Sequence, residues 1–109
     1  MSVIELTTLE EIENAFKNEE SFIKISTTTC GPCKMMSPLF EVISNEAKSG
    51  TFYSITADTL SSEVARYVKE ELAITAVPVF FKYENGVQAQ RVAGALPKSQ
   101  LVAKLNISL

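Results

Sequence analysis

The chain has 109 residues, of which 46% are hydrophobic and 21% charged, so we expect residues 1–109 to form a single globular domain. Ten Lys and Arg against 13 Asp and Glu give a formal net charge of −3, which argues against a nucleic-acid-binding protein. No apolar run approaches the ~20 residues of a membrane span, and residues 1–5 lack the pattern of a signal peptide. We therefore expect a cytoplasmic protein that binds no membrane and, with no obvious dimer surface, is a monomer.

The inventory of reactive side chains is short. The chain has no His, and its two cysteines are Cys30 and Cys33. Two thiolates cannot complete a tetrahedral zinc site, so we expect no metal. A disulfide-stapled scaffold uses several bridges that close longer loops. The close pair therefore favours redox chemistry.

The first half of the chain alternates short strands with helices. Residues 3–6 predict a strand, and the capping-box spacing at Thr8–Glu11 begins a helix over about residues 8–18. The β-branched and aromatic residues 21–27 predict a second strand. Apolar residues at helical spacing after Cys33 predict a second helix that ends near Ser49–Gly50.

The second half predicts a strand at 51–57 and then a third, extended helix with an apolar face. A strand at 79–83, the turn signal Asn85–Gly86 and a returning strand at 87–93 predict a hairpin. Leu101, Val102 and Leu105 indicate a last helix. Parallel βαβ units followed by a hairpin predict a three-layer α/β/α domain with a central mixed sheet between helices. Phe80 and Phe81 are expected to face opposite helical layers.

The motif Cys30-Gly31-Pro32-Cys33 lies where a predicted strand ends and a helix begins. A thiolate at a helix N-terminus is stabilised by unpaired N–H groups and the helix dipole. Pro32 fixes φ early in the helix without losing a needed donor, and Gly31 leaves the surface beside Cys30 open. We expect Cys30 to be the nucleophile and Cys33, one turn later and partly beneath it, to resolve the mixed disulfide. The alternative interpretation is a pair of buried structural thiols.

Several motifs along the chain resemble those of the thioredoxin family. They are Cys30-Gly31-Pro32-Cys33-Lys34-Met35, Val77-Pro78, Asn85-Gly86 and Val92-Ala93-Gly94-Ala95-Leu96. The resemblance implies the thioredoxin fold and reduction of disulfides in protein substrates. It also implies recharging by a flavoprotein thioredoxin reductase that uses NADPH, with no cofactor in this chain itself.

The same resemblance gives Val77 and Pro78 a place beside the cysteines. It implies that the Val77–Pro78 bond is cis and packs against the Cys30–Cys33 pair. The backbone of Val77 would then be free to pair with an extended substrate segment. Without the family likeness, Pro78 would read as an ordinary strand-starting proline.

Two of the positions that depart from the family pattern lie closest to the predicted chemistry. Thr29 replaces the Trp that usually precedes the first cysteine, and Lys24 replaces the buried Asp that assists proton transfer to the second. Either the Lys24 cation stabilises thiolates and the reduced form, or its head reaches water or a carboxylate partner. We expect a less reducing dithiol, slower release of the mixed disulfide, and a more negative potential on Lys24→Asp substitution.

Two alternatives to a protein-disulfide reductase remain open from the sequence. A glutaredoxin-like enzyme would use glutathione, but no basic cluster beyond Lys34 is predicted near Cys30. A binding or docking module would keep the fold with weak redox activity. The loss of the Trp and Asp favours such a module, and the intact cysteine motif argues against it.

Overall fold

The computed structural model describes residues 3–109 and contains one five-stranded mixed sheet. The elements in chain order are β1 (Ile4–Glu5), α1 (Leu9–Phe16), β2 (Glu20–Ser26), α2 (Gly31–Glu46), β3 (Thr51–Thr56), a 3₁₀ turn (Ala57–Thr59), α3 (Ser62–Arg66) continued by a π-helical segment (Tyr67–Glu71), β4 (Val79–Glu84), β5 (Val87–Ala93) and α4 (Lys98–Lys104).

Strand β2 lies at the centre of the sheet, whose strand order is β1-β3-β2-β4-β5. It pairs parallel with β3 and antiparallel with β4, while β1 runs parallel to β3 and β5 antiparallel to β4. In this register Lys24 lies between Ser54 and Phe80 on the two neighbouring strands. The predicted mixed sheet is confirmed.

The sheet separates two apolar clusters, as alternation of side chains along a strand requires. Ile23 and Phe81 belong to the cluster that includes residues of α1 and α3, whereas Phe22 and Phe80 belong to the cluster that includes residues of α2 and α4. Phe80 and Phe81 therefore face opposite layers. The three-layer α/β/α prediction is confirmed, and Lys24 lies in the register of Phe22, on the α2 side of the sheet.

The predicted boundaries differ from the observed ones by a few residues. Helix α1 has the predicted capping box: the Glu11 N–H donates to Thr8 Oγ1 (3.2 Å), and the Glu11 carboxylate accepts from the Thr8 N–H (3.2 Å). Helix α2 ends at Glu46 rather than near residue 50, since Ala47 already has extended backbone angles.

The third helix differs more from the prediction. It keeps α-helical bonding only over Ser62–Arg66 and then widens into a π-helical segment. The Leu72 N–H donates to the Tyr67 carbonyl five residues earlier (3.1 Å). Val64, Val68 and Leu72 lie together in the core. Their spacing in the sequence is also that of an ordinary α-helix, so the sequence does not predict the wider turn.

Within the described range, no helix is long and apolar enough to cross a membrane. The expectation about a signal peptide involves residues 1 and 2, which lie outside that range.

Gly50, which precedes β3, packs closely against the ring of Phe22. Its φ is +92°, and a Cβ added there would lie 2.5 Å from Cε2 of the buried Phe22 ring. Gly86 has a φ of +86° with open space around it. We expect Gly86→Ala to cost only the backbone term of about 1–2 kcal/mol. Gly50→Ala should cost a further 1–3 kcal/mol or so for overpacking.

The measurement is the free energy of unfolding in urea for the wild-type protein and both variants. Gly86→Ala is the matched control because it changes the same residue type in the same backbone region. Equal losses for the two variants would contradict the close packing of Gly50 on Phe22.

Candidate active site

Cys30 lies at the junction between β2 and α2 and caps the helix with its side chain. Its Sγ accepts a hydrogen bond from the Cys33 N–H (3.1 Å). The two cysteines are joined by a disulfide, with their Cα atoms 5.2 Å apart. Cys30 is partly exposed, whereas Cys33 is 2% exposed. The sulfur at the helix N-terminus is therefore the one that another molecule reaches first.

The two residues between the cysteines leave this surface open. Gly31 and Pro32 are both exposed, and a Cβ added at Gly31 would meet no other residue within 4 Å. Pro32 lies in the first helical turn, where its missing N–H leaves no intrahelical bond unmade. An incoming chain can thus approach Cys30 from this side.

Val77 and Pro78 approach the cysteines from the loop that leads into β4. The Val77–Pro78 bond is cis, and the Val77 carbonyl oxygen lies 3.6 Å from Cys30 Sγ. Pro78 is buried, and its carbonyl accepts from the Gly94 N–H (2.8 Å). Among residues 3–109, the Val77 N–H donates to no other backbone group. The residue whose carbonyl lies beside Cys30 Sγ thus keeps a backbone donor for an incoming chain.

The loop before Cys30 is held by Asp58, a residue that the sequence analysis did not single out. Its carboxylate accepts from the Thr28 N–H (3.0 and 3.2 Å) and from the Thr28 hydroxyl (2.5 Å). The hydrogen bond from the Thr28 hydroxyl has the larger effect and the bond from the Thr28 N–H the smaller, and together they hold the pKa of Asp58 below its usual value. Thr29 is exposed, so the position before Cys30 presents a small polar side chain.

An apolar groove of about 390 Å³ lies beside Val77. Its walls come from the start of the 3₁₀ turn, from the third helix and from the segment before β4. The apolar lining residues are Ala57, Ala65, Val68, Ile74, Ala76 and Val77. Thr27 and Asp58 also line it, so the groove reaches the loop that leads to Cys30.

A second cavity, of about 480 Å³, lies on the other side of the disulfide, and we call it the Lys24 cleft. Lys24 and Cys33 both line it. Most other lining side chains carry hydroxyl or charged groups: Glu5, Ser26, Thr27, Thr28, Lys34, Ser37, Glu41, Ser54 and Thr56. The buried cysteine thus faces a polar space that contains a lysine.

The expectation that the Lys24 head reaches water or a carboxylate is wrong. Lys24 is 5% exposed, and within residues 3–109 it forms no ion pair. Its ammonium instead donates to Ser37 Oγ (2.5 Å), and that hydroxyl donates to the Cys33 carbonyl (3.1 Å). Helix α2 covers this face of the sheet, so the side chain ends beneath Ser37, at the wall of the Lys24 cleft.

The electrostatics of Lys24 follow from that placement. Burial lowers the pKa of the Lys24 ammonium, and the carboxylates of Glu5 and Glu41 oppose the shift. Both carboxylates have other partners: Glu5 accepts from the Thr56 N–H and hydroxyl, and Glu41 accepts from the Val3 N–H. Glu5 and Glu41 therefore favour the charged form of Lys24 from a distance and form no ion pair with it.

The sequence analysis missed Ser37, Glu5 and Glu41. Ser37 follows Cys33 by four residues, a spacing that places both on one face of α2, so this signal was present. Glu5 lies on β1 at the sheet edge, and no local pattern connects it with Lys24. Only the strand order brings the two into one cleft.

Comparison with known proteins agrees with this geometry. The family model described as Thioredoxin matches residues 3–107. A thioredoxin of Mycoplasma genitalium is 30% identical over 105 residues, covering 95% of this chain and 98% of that protein. Thioredoxin-2 of Dictyostelium discoideum is 38% identical over 86 residues, covering 79% of this chain and 92% of that protein.

A solved structure of Plasmodium falciparum thioredoxin superposes with a TM-score of 0.82 at 28% identity, covering 95% of this chain and 97% of that one. The matches in sequence and in fold thus extend over most of the chain, including the residues that form the sheet and the segment with Cys30 and Cys33. The chain belongs to the thioredoxin family and is a thiol–disulfide oxidoreductase.

Proposed function

We propose that the chain acts as a single-domain protein-disulfide reductase in which Cys30 is the nucleophile and Cys33 the resolving thiol. One observation carries the assignment: Cys30 Sγ is the partly exposed sulfur at the N-terminus of α2 and accepts the Cys33 N–H. When Cys30 is reduced, the same N–H and the helix dipole stabilise its thiolate.

The reaction then has two exchanges. The Cys30 thiolate attacks one substrate sulfur, the Cys30–substrate bond forms, and the other substrate sulfur leaves as a thiolate that takes a proton from solvent. Cys33, after losing its proton, attacks Cys30 Sγ. The Cys30–Cys33 bond forms, the mixed disulfide breaks, and the second substrate thiolate leaves. Two electrons have passed from the dithiol to the substrate.

Substrate binding uses the surface around Val77. The Val77 carbonyl oxygen lies 3.6 Å from Cys30 Sγ, and the Val77 N–H has no backbone partner among residues 3–109, so an extended substrate segment can add to this backbone as a short strand. The apolar groove between Val68, Ile74 and Val77 offers a place for a nonpolar side chain near the substrate cysteine. Thr29 presents no aromatic surface, so the groove supplies the apolar contact instead.

The electron donor in this proposal is a flavoprotein thioredoxin reductase, and the working compartment is the cytoplasm. A dithiol must be regenerated after each turnover, and the family relationship supports that reductase as the donor. The support for the compartment is that the cysteine pair is used for exchange rather than as one of several structural bridges. The protein is proposed to work as a monomer.

Single cysteine substitutions test the two roles. Cys30→Ser should reduce turnover of a disulfide-containing protein to the uncatalysed rate, because no accessible nucleophile remains. Cys33→Ser should also lose turnover but should accumulate a covalent complex through Cys30, detectable by mass on a nonreducing gel. Complex formation through Cys33 in the Cys30→Ser variant would contradict the assignment, and full binding with no turnover in the wild type would indicate a docking module.

The electron donor is tested by comparing two complete reducing systems on the same protein substrate. NADPH with a thioredoxin reductase should sustain turnover, since the enzyme is proposed to receive electrons from a flavoprotein. Glutathione with glutathione reductase should sustain much less. A preference for glutathione would instead favour the glutaredoxin-like alternative.

The reduction potential tests the direction of electron flow. Equilibration with defined thiol–disulfide buffers should give a value near about −250 mV, somewhat less negative than the roughly −270 mV of a typical thioredoxin. Such a value keeps the dithiol reduced enough to act on substrates in a reducing compartment. A value near about −180 mV, typical of a disulfide isomerase, would contradict the reductase proposal.

A further inference from the structure

Lys24 is the charged group that the reaction described above does not use. Its ammonium is buried on the α2 side of the sheet, without a carboxylate partner among residues 3–109. A buried cation that is not paired with an anion is costly. The one anion that the reaction creates inside the Lys24 cleft is the Cys33 thiolate.

The connection between Lys24 and Cys33 is short. Two consecutive hydrogen bonds run from the Lys24 ammonium to Ser37 Oγ and from that hydroxyl to the Cys33 carbonyl. Ser37 and Cys33 are one turn apart on α2, and both line the cleft with Lys24. The ammonium is thus held against the turn of helix that carries the resolving cysteine.

We propose that the Lys24 ammonium stabilises the thiolate form of Cys33 across this cleft and so controls how readily Cys33 resolves the mixed disulfide. Lys24 acts through Cys33, as a positioning residue, and the inference rests on the resolving role proposed for Cys33. In this step the proton of Cys33 leaves through the cleft to solvent, and the Lys24 ammonium keeps its own protons.

The other charges that face Lys24 set its protonation. Glu5 on β1 and Glu41 on α2 favour the charged form, while burial opposes it. Lys34 on α2 also lines the cleft and adds positive charge. The facing residues of β3 and β4, Ser54 and Phe80, carry no charge. Glu5 and Glu41 thus favour the ammonium form, which is the form that can stabilise a thiolate.

The expected effect depends on pH in a way that packing alone does not produce. Without the cation, the pKa of Cys33 rises. If its acid dissociation constant falls tenfold, the thiolate fraction near neutral pH falls tenfold, while each thiolate becomes about threefold more nucleophilic. Release of the mixed disulfide should then slow about threefold at neutral pH and become faster than in the wild type at high pH.

The direct test measures the pKa of Cys33 in the Cys30→Ser background, by thiolate ultraviolet absorbance, with and without Lys24→Met. We expect the pKa of Cys33 to rise by about one, a tenfold fall in its acid dissociation constant, when the Lys24 charge is removed. The reason is that a nearby opposite charge lowers the pKa of an acidic group by about 1–3 pH units. An unchanged Cys33 pKa would overturn the proposal.

Matched variants separate charge from packing. Lys24→Arg keeps the charge and should keep the Cys33 pKa close to the wild-type value. Lys82→Met removes the other buried lysine, which is 4% exposed, is paired with Glu20 (3.3 Å) and does not line the cleft. It should leave the Cys33 pKa unchanged even if stability falls. A rise in Cys33 pKa on Lys82→Met equal to that on Lys24→Met would contradict a specific role for Lys24.

Stability against pH provides a second readout and shows that the variant folds. Because burial lowers the pKa of Lys24, the unfolded chain binds more protons between the folded pKa and 10.5. The wild type therefore gains stability relative to Lys24→Met as the pH rises through that interval. At neutral pH the variant should be at least as stable as the wild type, because Met fills a similar volume without a buried charge.

Release of the mixed disulfide, measured over the same pH range, completes the test. Crossing pH profiles for the wild type and Lys24→Met support the proposal, and parallel profiles overturn it. If the wild type does not reduce protein disulfides at all, the proposed function fails. The titration of Cys33 still gives its own answer, so the two failures are distinguishable.

Discussion

Strand β2 is the element on which the fold and the site both depend. It pairs with β3 on one side and β4 on the other and carries buried side chains on both faces. Ile23 and Ile25 fill the core beneath α1 and α3, while Phe22 lies beneath α2. Because the strand is fixed on four sides, the chain that leaves it is delivered to one place at the end of the sheet, where Cys30 begins α2.

The reactive disulfide lies between two cavities of different character. On one side, the apolar groove reaches Val77 and the third helix. On the other, the Lys24 cleft is lined by hydroxyl and charged groups and reaches Cys33. The partly exposed sulfur thus faces a surface suited to an incoming chain, and the buried sulfur faces a polar interior. Such a division matches two successive exchanges that place different demands on the two sulfurs.

The resemblance of the sequence motifs to those of the thioredoxin family implies a buried Asp where this chain has Lys24. A carboxylate can accept the proton of the resolving thiol, whereas an ammonium acts by stabilising the resulting thiolate. With Lys24, release of the mixed disulfide is expected to be slower than with an Asp at this position, because an Asp could accept the Cys33 proton. With Lys24, release at neutral pH is expected to be faster than with an uncharged residue, because the ammonium stabilises the Cys33 thiolate.

The main elements were predictable from local patterns. The alternation of residues 21–27, the Asn85–Gly86 turn and the capping box at Thr8 each depend on residues close together in the chain, and the structure contains the corresponding strand, hairpin and helix. The widened turn of the third helix was not predictable. Its apolar residues Val64, Val68 and Leu72 are spaced as in an ordinary helix, so their pattern does not indicate the wider turn.

That Cys30 and Cys33 lie where a strand ends and a helix begins could be inferred from the sequence alone, because their spacing and the surrounding pattern are local. The groups around the two cysteines come from distant parts of the chain and depend on the tertiary fold. Asp58 holds the loop before Cys30 from thirty residues away, Val77 approaches from another loop, and Glu5 joins Lys24 through the strand order. These contacts depend on how the strands and helices pack, and no short stretch of sequence specifies that arrangement.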